Sequence, residues 1–274
     1  MKTLDGITAG FIGTGAMGSA LIKAASRAID GKRIFITSRT PEKRSRAAAE
    51  LGVTEAQDNA SLVLLSDIVF IAVKPAQVSA VLHEIAPYCG GKTLVSAAAG
   101  ITLHSIRAML SGPPPAALVR IMPNIAASVG ESMTALACEN ALPETEAAAL
   151  VCGLLSPGGL VERVDESLMD CVTAISGSGP AYAFIFIEAL ADAAVGLGMP
   201  RAAAYTFAAQ TLKGAAALAL ESGLHPAALK DAVCSPAGTT IEAVRILEAG
   251  GFRSAIIEAA RSAARHSRNM YREQ

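Results

Sequence analysis

Ile7 to Gly18 reads I-T-A-G-F-I-G-T-G-A-M-G, and this stretch decides the fold. Ile7 to Ile12 is a short apolar run of strand length. Gly13-Thr14-Gly15-Ala16-Met17-Gly18 fits G-x-G-x-x-G, and Met17 to Ala28 continues with helical spacing in good helix formers. A strand before these glycines and a helix after them is the context that makes the pattern a dinucleotide-binding turn. Gly13 permits the tight turn, Gly15 lets the backbone approach a pyrophosphate, and Gly18 lets the helix pack on the strand. The N–H groups at the helix start then face the phosphates. The plainer alternative is a glycine-rich turn without a ligand; the flanking elements weigh against it.

Outward from this turn the first half of the chain alternates. Arg33 to Ser38, Asp67 to Val73, Thr93 to Ala98 and Ala117 to Ile121 read as buried strands, with helical segments between them. Thr40-Pro41 opens a helix to about Leu51 as cap and first-turn proline. This alternation predicts an α/β fold with a parallel sheet and right-handed crossovers. Met133 to Cys138 is a further candidate strand and Pro143 to Leu155 a candidate helix. Ser156-Pro157-Gly158-Gly159 is a strong break, and after a short run at Leu160 to Val164 the strand signal ends. Residues 165–274 read as helices rich in Ala and Leu. The expected division is a Rossmann domain at 1–164 and an all-helical domain at 165–274.

Composition narrows the function. Hydrophobic residues make up 52% of the 274 and charged residues 17%, which excludes a disordered chain. The mean hydropathy is +0.43, high for a water-soluble protein. Cys171 to Ile187, the longest uncharged stretch found, holds Gly, Ser, Thr and Pro and reads as too short and too polar to span a bilayer. The N-terminus lacks the layout of a signal peptide, so a cytoplasmic protein with no membrane partner is expected. A net charge of −1 gives no basic footprint for nucleic acid. The five Cys are widely spaced without C-x-x-C, and the four His are scattered, so neither a disulfide framework nor a metal site is expected.

Where an NAD-preferring site carries an acidic residue, about 20 positions beyond the glycines, this chain has Ser38-Arg39-Thr40. Arg39 suits a 2′-phosphate, and Arg44 or Lys43 would add charge. The expected cofactor is therefore NADPH, with NADH a weaker alternative. A solvated arginine stacked on adenine is the competing reading of Arg39. Ala72-Val73-Lys74-Pro75 ends one strand, and Lys74 there would reach the cofactor's hydroxyls or phosphate, or else is a surface lysine before a helix-starting proline. Ser96 to Gly100 ends the next strand, and its small residues would let the nicotinamide half lie against the backbone; a tightly packed strand end would look the same.

Met122-Pro123-Asn124 follows a later strand and should lie at the same edge. Ser176 to Tyr182, S-G-S-G-P-A-Y, places helix-poor residues where the neighbours are strongly helical, which often marks a site. A helix start with Ser178 as cap explains it equally. Ser235-Pro236-Ala237-Gly238-Thr239-Thr240 precedes another helix. Thr239 and Glu242 there have the spacing of a capping box, leaving the Thr240 hydroxyl free. The N–H groups of Gly238 to Thr240 suit a carboxylate, although a plain capped helix is the simpler reading of the same residues.

Taken together, these segments resemble the pyrroline-5-carboxylate reductases, over essentially the whole chain. The likeness rests on G-F-I-G-T-G-A-M-G at 10–18, A-V-K-P at 72–75 and S-A-A-A-G-I at 96–101. It continues with M-P-N at 122–124, S-G-S-G-P-A-Y at 176–182 and S-P-A-G-T-T-I-E-A at 235–243. Ala237 departs from the glycine that many members carry.

The resemblance implies reduction of L-1-pyrroline-5-carboxylate to L-proline by hydride from NAD(P)H. It also implies a homodimer intertwined through the helical domain, often assembled into a decamer, with partner chains completing each active site. Ile12, Gly13, Thr14, Gly15, Ala16, Met17, Ser38, Arg39, Asn59, Ala72, Val73, Lys74, Pro75, Ala97, Ala98 and Ala99 are its implied cofactor contacts, beside Gly18 of the motif. Thr239 and Thr240 are its implied substrate contacts, and Glu166 and Asp231 match acidic positions near the substrate. With Met122, Pro123, Asn124, Ser235 and Gly238 they form the expected substrate site, in which Thr240 is the expected catalytic residue. The nearest rival, a β-hydroxyacid dehydrogenase, needs a lysine early in its helical domain. Beyond Lys92 this chain has only Lys213 and Lys230, neither in that family's sequence setting. A non-catalytic NADP-binding scaffold would have no use for the 235–240 loop.

Overall fold

The computed structural model describes residues 4–139 and 146–269. By their contacts these fall into two compact units, one of residues 4–178 with 263–269 and the other Gly179–Ser262.

The first unit is built on β1 (Ala9–Ile12), β2 (Ile34–Thr37), β3 (Thr54–Glu55), β4 (Ile68–Ile71), β5 (Thr93–Ser96), β6 (Ala117–Met122), β7 (Ser132–Cys138) and β8 (Gly159–Arg163). They form one sheet in the order β3-β2-β1-β4-β5-β6-β7-β8. The first six are parallel, with Ile12 of β1 beside both Thr37 of β2 and Ile71 of β4. The strand order reverses between β1 and β4, which is the switch point of a dinucleotide-binding sheet.

Helices cover both faces. Phe11, Phe70, Val119 and Leu136 on one face meet α1 (Ala16–Ala28), α2 (Pro41–Leu51) and α6 (Glu146–Leu155). Ile12, Val69, Ile71 and Leu94 on the other meet α3 (Asn59–Leu65), α4 (Pro75–Ile85) and α5 (Leu103–Met109). Consecutive residues thus bury on opposite faces, which is why the strands read as unbroken apolar runs. Phe11 and Phe70 stack with ring centroids 4.5 Å apart. On the second face, burial pushes the Cys89 thiol up to about 11.

The expected parallel sheet needs one correction. β7 runs antiparallel to β6. The link between them, residues 123–131, is mostly the 3-10 turn Ile125–Val129. It is too short for the helical crossover that parallel pairing requires. The helix expected from Pro143 is described from Glu146, and its first expected residues lie outside the described ones.

Helical backbone runs unbroken from Glu166 to Gly196, 31 residues, through α7 (Met169–Val172), a π turn at Thr173–Gly177 and α8 (Gly179–Gly196). By length and composition alone this helix is long and apolar enough to cross a membrane. That corrects the reading of Cys171 to Ile187. The helix absorbs the Ser and Gly cluster instead of stopping at it. Ser178 has helical φ and ψ of −89° and −24°, and its N–H bonds the Thr173 carbonyl at 2.9 Å, so it closes the π turn directly ahead of α8.

The second unit continues with α9 (Arg201–Ser222), α10 (Pro226–Val233), α11 (Thr239–Ala249) and the first part of α12 (Phe252–Asn269). The breaks fall at residues 197–200, 223–225, 234–238 and 250–251, and Gly223 closes α9 with φ +62°. α8 and α9 meet through Ala191, Ala204 and Ala208, a small core. Leu197, Ile185 and Phe207 stand 90%, 67% and 63% exposed in the single chain.

Candidate active site

The carboxyl ends of β1, β2, β4, β5 and β6 meet along one edge of the sheet, and the sequence-predicted cofactor residues lie along it. Gly13 follows β1 with φ +103°, a left-handed backbone, and a Cβ there would sit 2.9 Å from the Ala72 carbonyl oxygen. At Gly18 a Cβ would meet the Gly13 carbonyl oxygen at 2.0 Å, so only glycine lets α1 start this close to the turn. Gly15, the N-cap residue of α1, has open space around it and makes no side-chain cap bond among the described residues. These features fit a pyrophosphate: a turn whose glycines leave backbone open to a ligand and a helix start with its N–H groups outward. Across the switch point, Lys74 is exposed at the start of α4. Ala97 and Ala98 bond to the Ile71 carbonyl and the Ser96 hydroxyl, forming a low wall after β5.

The β2 end carries the expected adenosine contacts. Ser38 is half-buried and Arg39 exposed. Arg44 is engaged elsewhere: it donates to Glu55 at 3.0 Å and to the Gln57 carbonyl at 2.8 Å. That leaves Arg39 and Lys43 as the exposed cations of this corner. Asn59 opens α3, next to the Asp58 cap. Hydrogen bonds from the Ser61 hydroxyl and then its N–H hold the Asp58 carboxyl below its ordinary value. The Asn59 Oδ1 accepts from the Thr37 hydroxyl at 2.7 Å, and its Nδ2 donates to Glu84 at 2.8 Å.

Met122, Pro123 and Asn124 follow β6 at the same edge. Asn124 is almost fully buried and caps the next turn by accepting from the Ala126 N–H at 3.1 Å. Its amide donates to the Ser176 hydroxyl at 3.3 Å, which in turn donates to the Met133 carbonyl at 3.1 Å. The π turn thus docks on the M-P-N segment, and π turns recur at functional sites. At Gly177 a Cβ would lie 2.8 Å from the Met122 Cε, so Met122 sits directly on that glycine. The spacing in sequence singles out both segments; it does not show that they meet, nor that Ser132 and Thr134 support them.

Glu166 faces inward on the first unit. Its Oε1 accepts from the Leu103 N–H at 2.7 Å and from Arg120 at 3.1 Å. It therefore closes the start of α5 and neutralises a cation that is 4% exposed.

In the second unit, Ser235-Pro236-Ala237-Gly238 forms a turn closed by the Gly238 N–H on the Ser235 carbonyl at 3.0 Å. Proline stands second and Ala237 third, with φ +54°, the pattern of a type II turn. Two expectations change. The N-cap of α11 is Gly238, so Thr239 is already helical and the capping box is not formed. Glu242 instead pairs with Arg245, which holds the carboxyl below its ordinary value. The Gly238 N–H is occupied, so the N–H groups of Thr239 and Thr240 are the ones at the open helix start. Thr240 is half-buried. Asp231 pairs with Lys230, and that bond raises the lysine above its ordinary value.

A cavity of about 340 Å³ lies at the opposite edge of the sheet, lined by Asp67, Thr93, Arg107 and Glu139 among others. Arg107 and Glu139 pair within it, and it holds none of the expected site residues. Among the described residues no group of His, Cys, Asp and Glu could hold a metal.

Residues 166–270 match the family described as pyrroline-5-carboxylate reductase dimerisation, and residues 8–100 match NADP oxidoreductase, coenzyme F420-dependent. Over 254 residues the chain is 44% identical to the pyrroline-5-carboxylate reductase of Escherichia coli, covering 91% of this chain and 93% of that one. Over 269 residues it is 39% identical to the enzyme of that name from Pisum sativum, covering 97% of each. The crystal structure of Plasmodium falciparum pyrroline carboxylate reductase with NADP bound superposes with a TM-score of 0.86 at 30% identity, covering 98% of this chain and 99% of that one. That of the Coxiella burnetii reductase gives 0.87 at 33%, covering 95% and 97%.

Proposed function

The chain belongs to the pyrroline-5-carboxylate reductase family, and on that premise we propose which of its residues carry the reaction. The reaction is reduction of L-1-pyrroline-5-carboxylate to L-proline, the final step of proline biosynthesis. A nicotinamide dinucleotide supplies the hydride, and the protein assembles as a homo-oligomer.

The glycine cradle carries this reading most directly. Gly13, Gly15 and Gly18 take the pyrophosphate, with Ile12, Thr14, Ala16 and Met17 completing the turn. Ser38, Arg39 and Asn59 take the adenosine end. Ala72 to Pro75 and Ala97 to Ala99 line the path to the nicotinamide. NADPH is preferred over NADH, because exposed Arg39 suits a 2′-phosphate and Ser38-Arg39-Thr40 offers no carboxylate to repel one.

The substrate's carboxylate is held by the N–H groups of Thr239 and Thr240, at the positive end of α11. Ser235 and Gly238 shape that turn. The Thr240 hydroxyl bonds the ring nitrogen and fixes its register. A protonated imine accepts hydride better than a neutral one, so orientation and charge complementarity do most of the work. An alcohol is a weak acid, and the proton on nitrogen comes from solvent. Met122, Pro123 and Asn124 border the substrate. Glu166 and Asp231 act nearby only through the partners that hold them. Residues 1–164 form the cofactor domain and 165–274 the helical substrate and dimerisation domain in this reading. It further includes dimers grouped into a decamer and a cytoplasmic location. Steady-state oxidation of NADPH and of NADH with pyrroline-5-carboxylate tests it: turnover favouring NADPH supports it, and no turnover by folded protein overturns it.

A further inference from the structure

We propose that Glu84, at the end of α4, is a positioning residue for the cofactor: it fixes which way the Asn59 amide faces. The proposal rests on the reading of Asn59 as a cofactor contact. An asparagine amide has a donating end and an accepting end of nearly equal shape, so its neighbours decide its orientation. Thr37 cannot decide it, because a hydroxyl serves equally as donor or acceptor. An ionised carboxylate only accepts. The Glu84 Oε2 lies 2.8 Å from the Asn59 Nδ2 and so requires the NH₂ end on its side. The Oδ1 then faces Thr37, whose nearly buried hydroxyl must donate to it at 2.7 Å. Without Glu84 the amide would turn over at little cost, with Thr37 switching to acceptor. Three elements are tied by these two bonds: the end of β2, the start of α3 and the last turn of α4. All three border the corner assigned to adenosine. With both ends committed, Asn59 offers a ligand one fixed pattern: a single remaining amide hydrogen and the outer lone pair of its oxygen.

The experiment measures KM for NADPH, kcat and melting temperature of the assembled enzyme for Glu84→Ala, Glu84→Gln and Asn59→Ala. Loss of one hydrogen bond's orientation predicts that Glu84→Ala raises KM by roughly three- to ten-fold. At saturating cofactor its kcat should stay within about two-fold, since the group sits far from hydride transfer. Glu84→Gln can present its donating end as readily as its accepting one, so it no longer fixes the amide and should also raise KM, by less than Glu84→Ala because a hydrogen bond is kept. A lower KM in both Glu84 variants would mean that the carboxylate acts by repelling the 2′-phosphate, and overturns the proposal. So does a lowered melting temperature with KM unchanged, which marks a purely structural bond. Asn59→Ala separates the two levels. If it leaves KM unchanged, the cofactor reading of Asn59 fails and the proposal with it. If it raises KM while Glu84→Ala does not, the proposal alone fails.

Discussion

Residues 4–178 enclose two broad apolar clusters, one on each face of a sheet, whereas Gly179–Ser262 enclose one small cluster of alanines. The two regions are similarly apolar in composition, so burial within the chain is what separates them. A sheet presents two faces and recruits helices to both, which closes a core inside one chain. Five helices with apolar residues on several sides and few layers cannot do the same. The first unit thus closes its own core, whereas the second leaves apolar surface of the kind an obligate interface buries. The helix that passes a membrane test by composition belongs in part to this second region, and the dimerisation match at 166–270 gives its apolar surface a partner.

The contrast breaks most visibly at assembly. Ile185→Glu combined with Phe207→Glu should reduce the oligomer to monomer in sedimentation, because each buried unpaired charge costs several kcal/mol. An assembly of unchanged mass would leave that apolar face unexplained. Next comes the self-contained core. Phe70→Ala removes one of two stacked, fully buried rings and should lower unfolding free energy by about 3–5 kcal/mol in denaturant titration. A loss below about 1 kcal/mol would mean that this unit does not rest on its own core.

Two substitutions sharpen the division of chemical roles. Thr240→Ala should lower kcat/KM by roughly ten-fold or more with melting nearly unchanged, since a hydrogen bond to a charged group is worth ~1.5–3 kcal/mol. Unaltered kinetics would remove Thr240 from the mechanism. Arg39→Ala should raise KM for NADPH by roughly three- to ten-fold and leave NADH nearly untouched. An equal effect on both would mean that Arg39 stacks on adenine instead. The smallest effect is expected at Ala237, whose left-handed backbone costs about 1 kcal/mol for a residue with a Cβ. Ala237→Gly should stabilise the chain by less than that in calorimetry, because glycine also has more unfolded freedom. A loss of stability would show that the turn favours alanine.

Much of this was legible in residue order. The glycines after Ile12 carry a signal that is local: a turn, a close approach and a helix start all lie within six residues. Strands buried on both faces announce themselves as apolar runs, which is why β1, β4, β5 and β6 are readable. What distant residues decide was not readable. Nothing near Glu166 in sequence says that it will meet Arg120 and the Leu103 N–H. Nothing near Ser176 indicates a π turn or its bond to Asn124. The capping spacing of Thr239 and Glu242 misled because Ser235 closes a turn one residue earlier and makes Gly238 the cap. Arg44 likewise reads as free until Glu55 and Gln57 claim it.

The Arg120–Glu166 pair has a consequence for where this chain can be divided. Arg120 lies within β6, among apolar side chains, and its counter-charge arrives 46 residues later. A little further on, Asp170 bonds to Ser267 and Arg268, near the far end of the chain. A fragment ending at the apparent boundary at residue 164 would strand a guanidinium inside a sheet, an error worth about 3–5 kcal/mol. The sheet is therefore closed electrostatically only once Glu166 has been added to the chain. That closing charge comes from the stretch that residue order assigns to the helical half.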